Sequence, residues 1–410
     1  MRQYLAPGVY VDEMPSAIRP IAGVGTSTAG FIGVVPDEIS LPAPLKGKRG
    51  EFISASKGLA EANQPVLVTG WTDFARHFGD LVGEEVANGT AVQEVEINAG
   101  FRNLAHAVYG FFNNGGTRCY VARVGAARDI GAALEAFAAI DEIAIVAIPG
   151  VNDAAAQNAL IDHCENQEDR FAILDGAPAP ATFTKELIRG GTRDSSYAAI
   201  YFPWIRVFDP SQKLMFPNSD GSLLIPPSGH IAGIYTRVDT ERGVHKAPAN
   251  EVIRGAQEVG QRLSKAHQEG LNPAGVNVIR NLNGAIRLWG ARTLGGDDNG
   301  DLKYISTRRL LNFLRESIDE GTRWVVFEPN DSSLWAKISR NVSAFLTNVW
   351  RSGALFGNTP EEAFYVRCDA TTNPSGVREK GQVVTEVGVA IVRPAEFVIF
   401  RLSQWSGPGG

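Results

Sequence analysis

The strongest constraint on this chain is an alternation. Between Ala29 and about Asn272, short apolar runs of strand length trade places with segments of helical periodicity. After an apolar stretch from Ala29 to Val35, helices are expected at Trp71 to Phe78, Ala99 to Asn113, Ile130 to Ile140 and Asp153 to Asn166. Strands are expected at Arg118 to Val124, Ile143 to Ile148, Phe171 to Leu174 and Ala198 to Phe202. A run such as Ile143 to Ile148, apolar at every position, must be covered on both faces. That is the habit of a mostly parallel sheet between helical layers, and it defines the fold class as α/β. The next stretch, Pro203 to Pro248, is rich in turn residues and reads as irregular.

The last third has a different pattern. Helices are expected at Glu251 to Gln268, Leu302 to Ile318 and Ser332 to Ser352, with strands near Val276 to Ile279, Ala285 to Leu288 and Trp324 to Phe327. Closing strands fall at Ala363 to Arg367, Val383 to Val392 and Glu396 to Leu402. Pro394 separates the last two, which suits a turn or an edge. At the other end, Ala6 to Glu13 alternates Val9 and Val11 against Tyr10 and Asp12, a short strand with no hairpin partner nearby. Pro and Gly between Pro15 and Gly25 place it on an arm. A lone strand leaves its amides and carbonyls unpaired until an edge from elsewhere completes them. The expected divisions are an arm over 1–35, an α/β domain over 36–270 and a closing domain over 271–410.

Composition narrows the partners. With 410 residues, 44% of them hydrophobic, there is material for two or three buried cores. A formal net charge of -6 supplies no basic field for nucleic acid or anionic lipid, so protein partners are expected. No apolar run approaches membrane-spanning length, and the first residues do not read as a secretory signal. Cys119, Cys164 and Cys368 are too far apart for a Cys-x-x-Cys pair and lack a His at ligand spacing. They read as three buried thiols.

Motifs that suggest chemistry fail on their own terms. Gly23-Val-Gly-Thr-Ser-Thr-Ala-Gly30 has Thr28 where a dinucleotide fingerprint needs its third glycine, and no P-loop occurs, so no cofactor is expected. The residues around Ser27 look like the serine motif of subtilisin-type proteases. Ser27, however, precedes every histidine in the chain, whereas that family's Ser follows its Asp and His. His163 and Cys164 are neighbours on a helix and point about 100° apart, a surface His beside a buried Cys rather than a catalytic pair. Asp297-Asp298 lack the loop and the bidentate Glu of a calcium site and read as a solvated turn. No catalytic, cofactor or metal residue is assigned.

One helix is more informative. Between Ser332 and Pro360 the only charged residues are Lys337, Arg340 and Arg351. At 100° per residue they fall within about 60° of one another, opposite Leu334, Trp335, Ile338, Val342, Phe345, Leu346, Val349 and Trp350. The stripe reads either as a solvated face or as a surface that docks on an acidic protein.

Many ordered segments resemble the phage tail sheath family, including the sheaths of extracellular contractile injection systems. They include Pro7-Gly-Val-Tyr-Val11, Arg19-Pro-Ile21, Tyr109-Gly-Phe-Phe-Asn-Asn-Gly-Gly-Thr-Arg-Cys-Tyr-Val121, Pro226-Pro-Ser-Gly-His-Ile-Ala-Gly233 and His245-Lys-Ala-Pro-Ala-Asn250. Leu271-Asn-Pro273, Arg287-Leu-Trp-Gly-Ala-Arg-Thr293, Trp324-Val-Val-Phe-Glu-Pro-Asn330 and Phe345-Leu-Thr-Asn-Val-Trp350 continue the series. The resemblance implies a subtilisin-like non-catalytic α/β domain plus a discontinuous α+β inner assembly domain with extended terminal arms. It implies a structural subunit, not an enzyme, stacked with copies of itself around an inner tube protein and meeting baseplate and terminator or cap proteins. Nucleic acid and membrane insertion are not implied. Assembly would occur in the bacterial cytoplasm, with the product part of a phage tail or a released tail-like particle. On that view Val9, Tyr10 and Val11, with Phe397, Val398, Ile399 and Phe400, pair between subunits, and Lys337, Arg340 and Arg351 meet the tube. The alternatives are a specialised sheath paralogue near the baseplate or cap, and a subtilisin-like hydrolase.

Overall fold

The computed structural model describes residues 20–399, which fall into two units. The larger comprises Val24–Arg315 and Val392–Gly410; the smaller comprises Met1–Gly23 and Glu316–Ile391. The expected strand at Val9 to Val11, and Phe400 at the other end, lie outside the described residues.

The larger unit begins with β1 (Ala29–Val34), the hairpin β2 (Glu38–Pro44) and β3 (Phe52–Gly58), then β4 (Val66–Val68), α1 (Trp71–Phe78) and α2 (Ala99–Asn113). It continues through β5 (Cys119–Val124), α3 (Ile130–Ala138), β6 (Ile145–Ala147), α4 (Ala154–Gln167), β7 (Phe171–Asp175), α5 (Lys185–Arg189) and β8 (Ala198–Phe202). Next come β9 (Ile205–Phe208), α6 (Pro210–Met215), β10 (Ser222–Ile225), α7 (Ser228–Arg242), β11 (Glu251–Val252), β12 (Ala256–Val259), α8 (Lys265–Leu271), β13 (Val276–Leu282) and β14 (Ala285–Trp289). Helix α9 (Ile305–Thr322) runs across the division between the units, at Arg315 and Glu316.

Nine strands form one sheet in the order β11-β14-β13-β8-β7-β6-β1-β5-β4. The six from β13 to β5 are parallel, and antiparallel strands close both edges. Strand β1 sits in the middle because its residues serve both faces alternately. Ala29 and Phe31 pack with Phe101, Leu104 and Phe111 of α2, while Ile32 packs with the core that contains Phe137 of α3 and Leu160 of α4. Helices therefore cover both faces. Each fully buried Phe, such as Phe31, Phe111 or Phe137, contributes about 2–3 kcal/mol of hydrophobic transfer.

The smaller unit holds the end of α9, then α10 (Ser332–Arg351) and the two-stranded antiparallel sheet of β15 (Phe364–Arg367) and β16 (Glu386–Val389). Asp331 caps α10 by accepting from the Leu334 amide at 2.9 Å, and Trp335 Nε1 donates to Asn330 Oδ1 at 2.8 Å. Ile21, from the amino-terminal part of this unit, lies against Gly321, where a Cβ would reach its side chain at 2.6 Å.

Five expectations need correction. Pro203 to Pro248 is ordered, carrying β9, α6, β10 and α7. Helix α7 escapes periodicity because every residue from Ser228 to Val238 is buried, so it has no polar stripe to contrast with an apolar one. Its Gly229 and Gly233 are required by a close crossing: a Cβ there would strike the backbone of Ala107 and Phe111 in α2. The expected helix Glu251 to Gln268 is instead β11, β12 and the short α8. Left-handed Asn250 (φ 62°) and Gly255 (φ 87°) break any helix, and pairing to β14 and β9 prevails over the local Glu and Gln propensity. Trp324 to Phe327 is not a strand: a 3-10 turn covers Arg323–Val325, and Phe327 takes φ 69°. The closing strand Val383 to Val392 is confined to β16, and no strand forms over residues 396–399. The sequence-drawn boundary at 270 also falls inside the nine-stranded sheet, since β13 and β14 belong to it.

Candidate functional site, the assembly surfaces

An open α/β sheet places ligands in the crevice at the carboxyl ends of its strands, where neighbouring connections diverge to opposite faces. Here that position lies beyond β1 and β6, and it is filled. Gly100, in the first turn of α2, abuts the Val34 carbonyl so closely that a Cβ would collide with it. Gly150 is held likewise against the Asn103 side chain. Asp175 at the end of β7 is consumed by the scaffold: it accepts from Gly150 N at 3.0 Å, Ser228 N at 2.9 Å and Ser228 Oγ at 2.7 Å. Burial pushes its carboxyl up to about 6 despite these three donors.

The residues that resemble catalytic parts are equally committed. His106 Nε2 lies 2.9 Å from Asp209 Oδ2, but the Ser211 hydroxyl donates to the other carboxylate oxygen rather than to the imidazole. All three are buried. Ser27 precedes β1 on extended backbone, and its carbonyl accepts from Thr236 Oγ1 at 3.1 Å. His163 is not on the surface as the helical spacing implied. It is buried beside Arg170, with Nε2 3.4 Å from Nη1, and burial first, then the guanidinium, lowers it to about 4. Cys119, Cys164 and Cys368 are free and buried, as expected, and burial pushes the first two thiols up. Asp297 is more than a solvated turn: it pairs with Arg292 at 3.1 Å and Lys303 at 3.4 Å. No group of three or more His, Cys, Asp or Glu suited to a metal occurs among the described residues.

What remains open is surface. On α10, Leu334, Trp335, Ile338, Val342, Phe345, Leu346 and Val349 are buried, while Lys337, Arg340 and Arg351 are exposed. None of these three cations meets a carboxylate among the described residues. Trp350, expected on the apolar side, is half-buried and donates to the Gly357 carbonyl at 2.9 Å. The smaller unit also exposes Val326, Phe327 (103%), Tyr365, Val384 and Val387. At the end of the described chain Phe397, Val398 and Ile399 are 70%, 70% and 80% exposed and unpaired with any strand. The first four residues of the expected strand, Glu396 to Ile399, therefore pair with no sheet among the described residues.

Sequence reading missed the two places where the chain ends are fastened. Thr26 Oγ1 donates to Asp239 Oδ2 at 2.7 Å. Arg309 holds both partners, donating to Asp239 at 2.9 and 2.6 Å and to the Thr26 carbonyl at 2.9 Å. Glu396 accepts a two-pronged bond from Arg292 at 2.9 Å on each arm, with Asn272 Nδ2 at 2.7 Å and Tyr304 Oη at 3.0 Å. Burial raises the Glu396 carboxyl, but the donors from Arg292 and Asn272 outweigh it and hold the group below the ordinary range. The available signals were Arg292 and Asn272, each inside a segment that carries the family resemblance.

Two family models match: the phage tail sheath protein central domain over residues 125–294, and the phage tail sheath C-terminal domain over residues 297–404. Together they span about two thirds of the chain, and the chain belongs to the phage tail sheath family. It is 27% identical over 199 residues to the tail sheath protein of Vibrio phage KVP40, covering 47% of this chain and 28% of that protein. The chain spans 28% to 49% of the length of the curated relatives it matches, all tail sheath proteins and none an enzyme. Among solved structures, a chain of the anti-feeding prophage helical sheath in its contracted state is 29% identical, with TM-score 0.69 over 97% of this chain and 99% of that one. A chain of an extracellular contractile injection system, the PVC sheath complex in its contracted state, is 25% identical, with TM-score 0.74 over 99% of both. These likenesses agree with the mixed α/β class read from the sequence.

Proposed function

We propose that this chain is a sheath subunit that polymerises helically around an inner tube and contracts to drive that tube through a target envelope. One observation carries the reading: the apolar run Phe397–Ile399 is exposed and unpaired, in a chain whose fold spans 99% of two contracted-sheath subunits. Pairing of this run, and of Val9, Tyr10 and Val11 at the other end, with edge strands of neighbouring copies would satisfy their backbone groups. The contact is heterologous, so it propagates as an open helix. The work of contraction then comes from better-buried packing in the final lattice, reached from a kinetically trapped extended one, with no nucleotide consumed.

Lys337, Arg340 and Arg351 are the surface we assign to the tube, on the support of their shared exposure and their lack of acidic partners within the described chain. The finer architecture belongs to the same proposal. The larger unit corresponds to a subtilisin-like domain without catalytic machinery, and the smaller to an inner assembly domain built from the amino-terminal segment and residues 316–391. Baseplate and cap contacts, assembly in the bacterial cytoplasm, and a place in a phage tail or a released particle complete it. A second reading, a sheath paralogue confined to the baseplate, is favoured by the likeness to a chain of the anti-feeding prophage baseplate, 28% identical with TM-score 0.72 over 98% of this chain.

Electron microscopy of purified protein mixed with inner tube decides between them. Long sheathed tubes are expected. Single rings at tube ends would overturn the main role in favour of the second, and protein that never associates would remove both.

A further inference from the structure

Two segments near the chain ends are fastened within the larger unit, both close to the start of α9. Arg309, which grips Thr26 through Asp239, lies in the first turns of α9, and Tyr304, which donates to Glu396, immediately precedes it. Five residues separate them, about 7.5 Å of helical rise. Each grip is a desolvated ion pair: the side chains of Arg309 and Asp239 are both 4% exposed, and Arg292 is 4% exposed against Glu396 at 20%. The neighbouring turns are bolted down as well. Arg308 stacks on Tyr197 at 4.2 Å and donates to Ser196 Oγ at 3.1 Å, and Arg315 pairs with Glu168.

We propose that the amino-terminal end of α9 is a common mount for the two arms, with Thr26 and Glu396 as their fixed roots and Arg309 and Arg292 as the positioning residues that hold them. This rests on the reading that the arms beyond those roots engage neighbouring copies. The pair at Glu396 explains why the residues beyond it can be exposed while the root is not, and the pair at Thr26 fixes the chain just after it leaves the smaller unit, where Ile21 is packed. Glu396 is tied by four hydrogen bonds, and the very next residues, Phe397 to Ile399, are exposed. Breaking either pair leaves a buried charge without its counterpart, so the root does not slide; it holds or lets go. Because Arg309 lies on α9 and Arg292 is bridged to Tyr304 just ahead of it, a pull on one arm has a short path to the other through a turn and a half at the start of α9.

The test uses the full-length subunit and two conservative variants, Glu396→Gln and Thr26→Val, each with amide hydrogen exchange measured on the isolated protein. Loss of a charge-assisted bond should speed exchange at its own root roughly tenfold. A shared mount adds a crossed effect: Glu396→Gln also speeds exchange over residues 24–28, and Thr26→Val over residues 392–399, with the double variant non-additive. Exchange changes confined to each variant's own root would overturn the shared mount. Sheaths built from either variant should break into shorter pieces under shear or on contraction. Sheaths as robust as wild type, in variants with crossed exchange, would show that the mount carries no load and overturn the proposal. If the wild-type chain forms no sheath at all, the arm reading itself falls and the mount with it; the monomer exchange data distinguish that failure from the others. Should Glu396→Gln fail to fold, Tyr304→Phe removes one donor to the same carboxylate, and the same crossed pattern decides.

Discussion

The two units differ in what they leave unfinished. In the larger one, antiparallel strands terminate the sheet on both edges, glycines allow α2 and α7 to touch backbone to backbone, and its buried Asp and Arg side chains have partners. In the smaller one a two-stranded sheet stands with Tyr365 and Val387 exposed, a fully exposed Phe327 sits on left-handed backbone, and a stripe of three cations faces outward. The larger unit is closed at its sheet edges, and its open part is the exposed run Phe397–Ile399. The smaller unit has open edges and exposed aromatics, and it carries the cations assigned to the tube in the proposed function.

Several changes would break or sharpen that contrast. The largest expected effect is all-or-none: removing residues 1 to 20 leaves a subunit with an unchanged far-ultraviolet spectrum that no longer polymerises, and ordered sheaths from the truncated protein would break the comparison. Next, within the complete body, Gly229→Ala forces a Cβ into the Ala107 backbone and should cost about 3 kcal/mol, read as a lower denaturant midpoint. A midpoint shift under 1 kcal/mol would mean that the α2 and α7 crossing can relax after all.

Acid comes third. His163 and His230 are buried and held at about 4 and about 3, burial being the main cause in both. The unfolded chain protonates near 6.5 and the native one refuses the proton, so stability falls as pH drops below about 6.5, by about 1.4 kcal/mol per unit for each histidine until its folded value is passed. Asp175 opposes this below about 6, because its folded value is raised and protonation there favours the native state. With two histidines against one carboxyl the net loss remains, and His163→Gln should make the slope of stability against pH shallower.

The triple change of Lys337, Arg340 and Arg351 to Glu should leave subunit stability within about 0.5 kcal/mol, since all three are exposed, yet abolish co-assembly on tube. Normal tube-bound sheath in micrographs would refute the tube contact. The smallest effect is at Phe327→Gly, which relieves left-handed strain at a residue that buries nothing. Thermal unfolding should show the isolated subunit gaining about 0.5–1 kcal/mol.

Legibility in the sequence follows the same divide. Elements with a clear period or a solid apolar run are read to the residue, as with Trp71–Phe78, Ala99–Asn113 and Ala198–Phe202. Helix α7 was missed because burial on every side erases the period, and β11 and β12 because their pairing partners lie elsewhere in the chain. Trp324 to Phe327 has strand composition but turns instead, for strand propensity needs a neighbouring edge to act on. The exposed cations of α10 were legible from angle alone. The fastenings at Thr26 and Glu396 were not, since their hydrogen-bond partners Asp239 and Arg292 are 213 and 104 residues away and no local pattern carries that information.

The seam between α2 and α7 has a consequence for how such a protein can change over generations. Gly110, Gly229 and Gly233 each leave no space for a methyl group, against His230, Ala107 and Phe111 respectively. Drift is therefore barred along one thin line through the middle of the body, whichever surfaces are being remodelled for new partners. A saturation library scored only for soluble expression would show that line as a narrow intolerant ribbon. The open edges of the smaller unit would look permissive in the same screen, although the proposed function gives them a part in assembly.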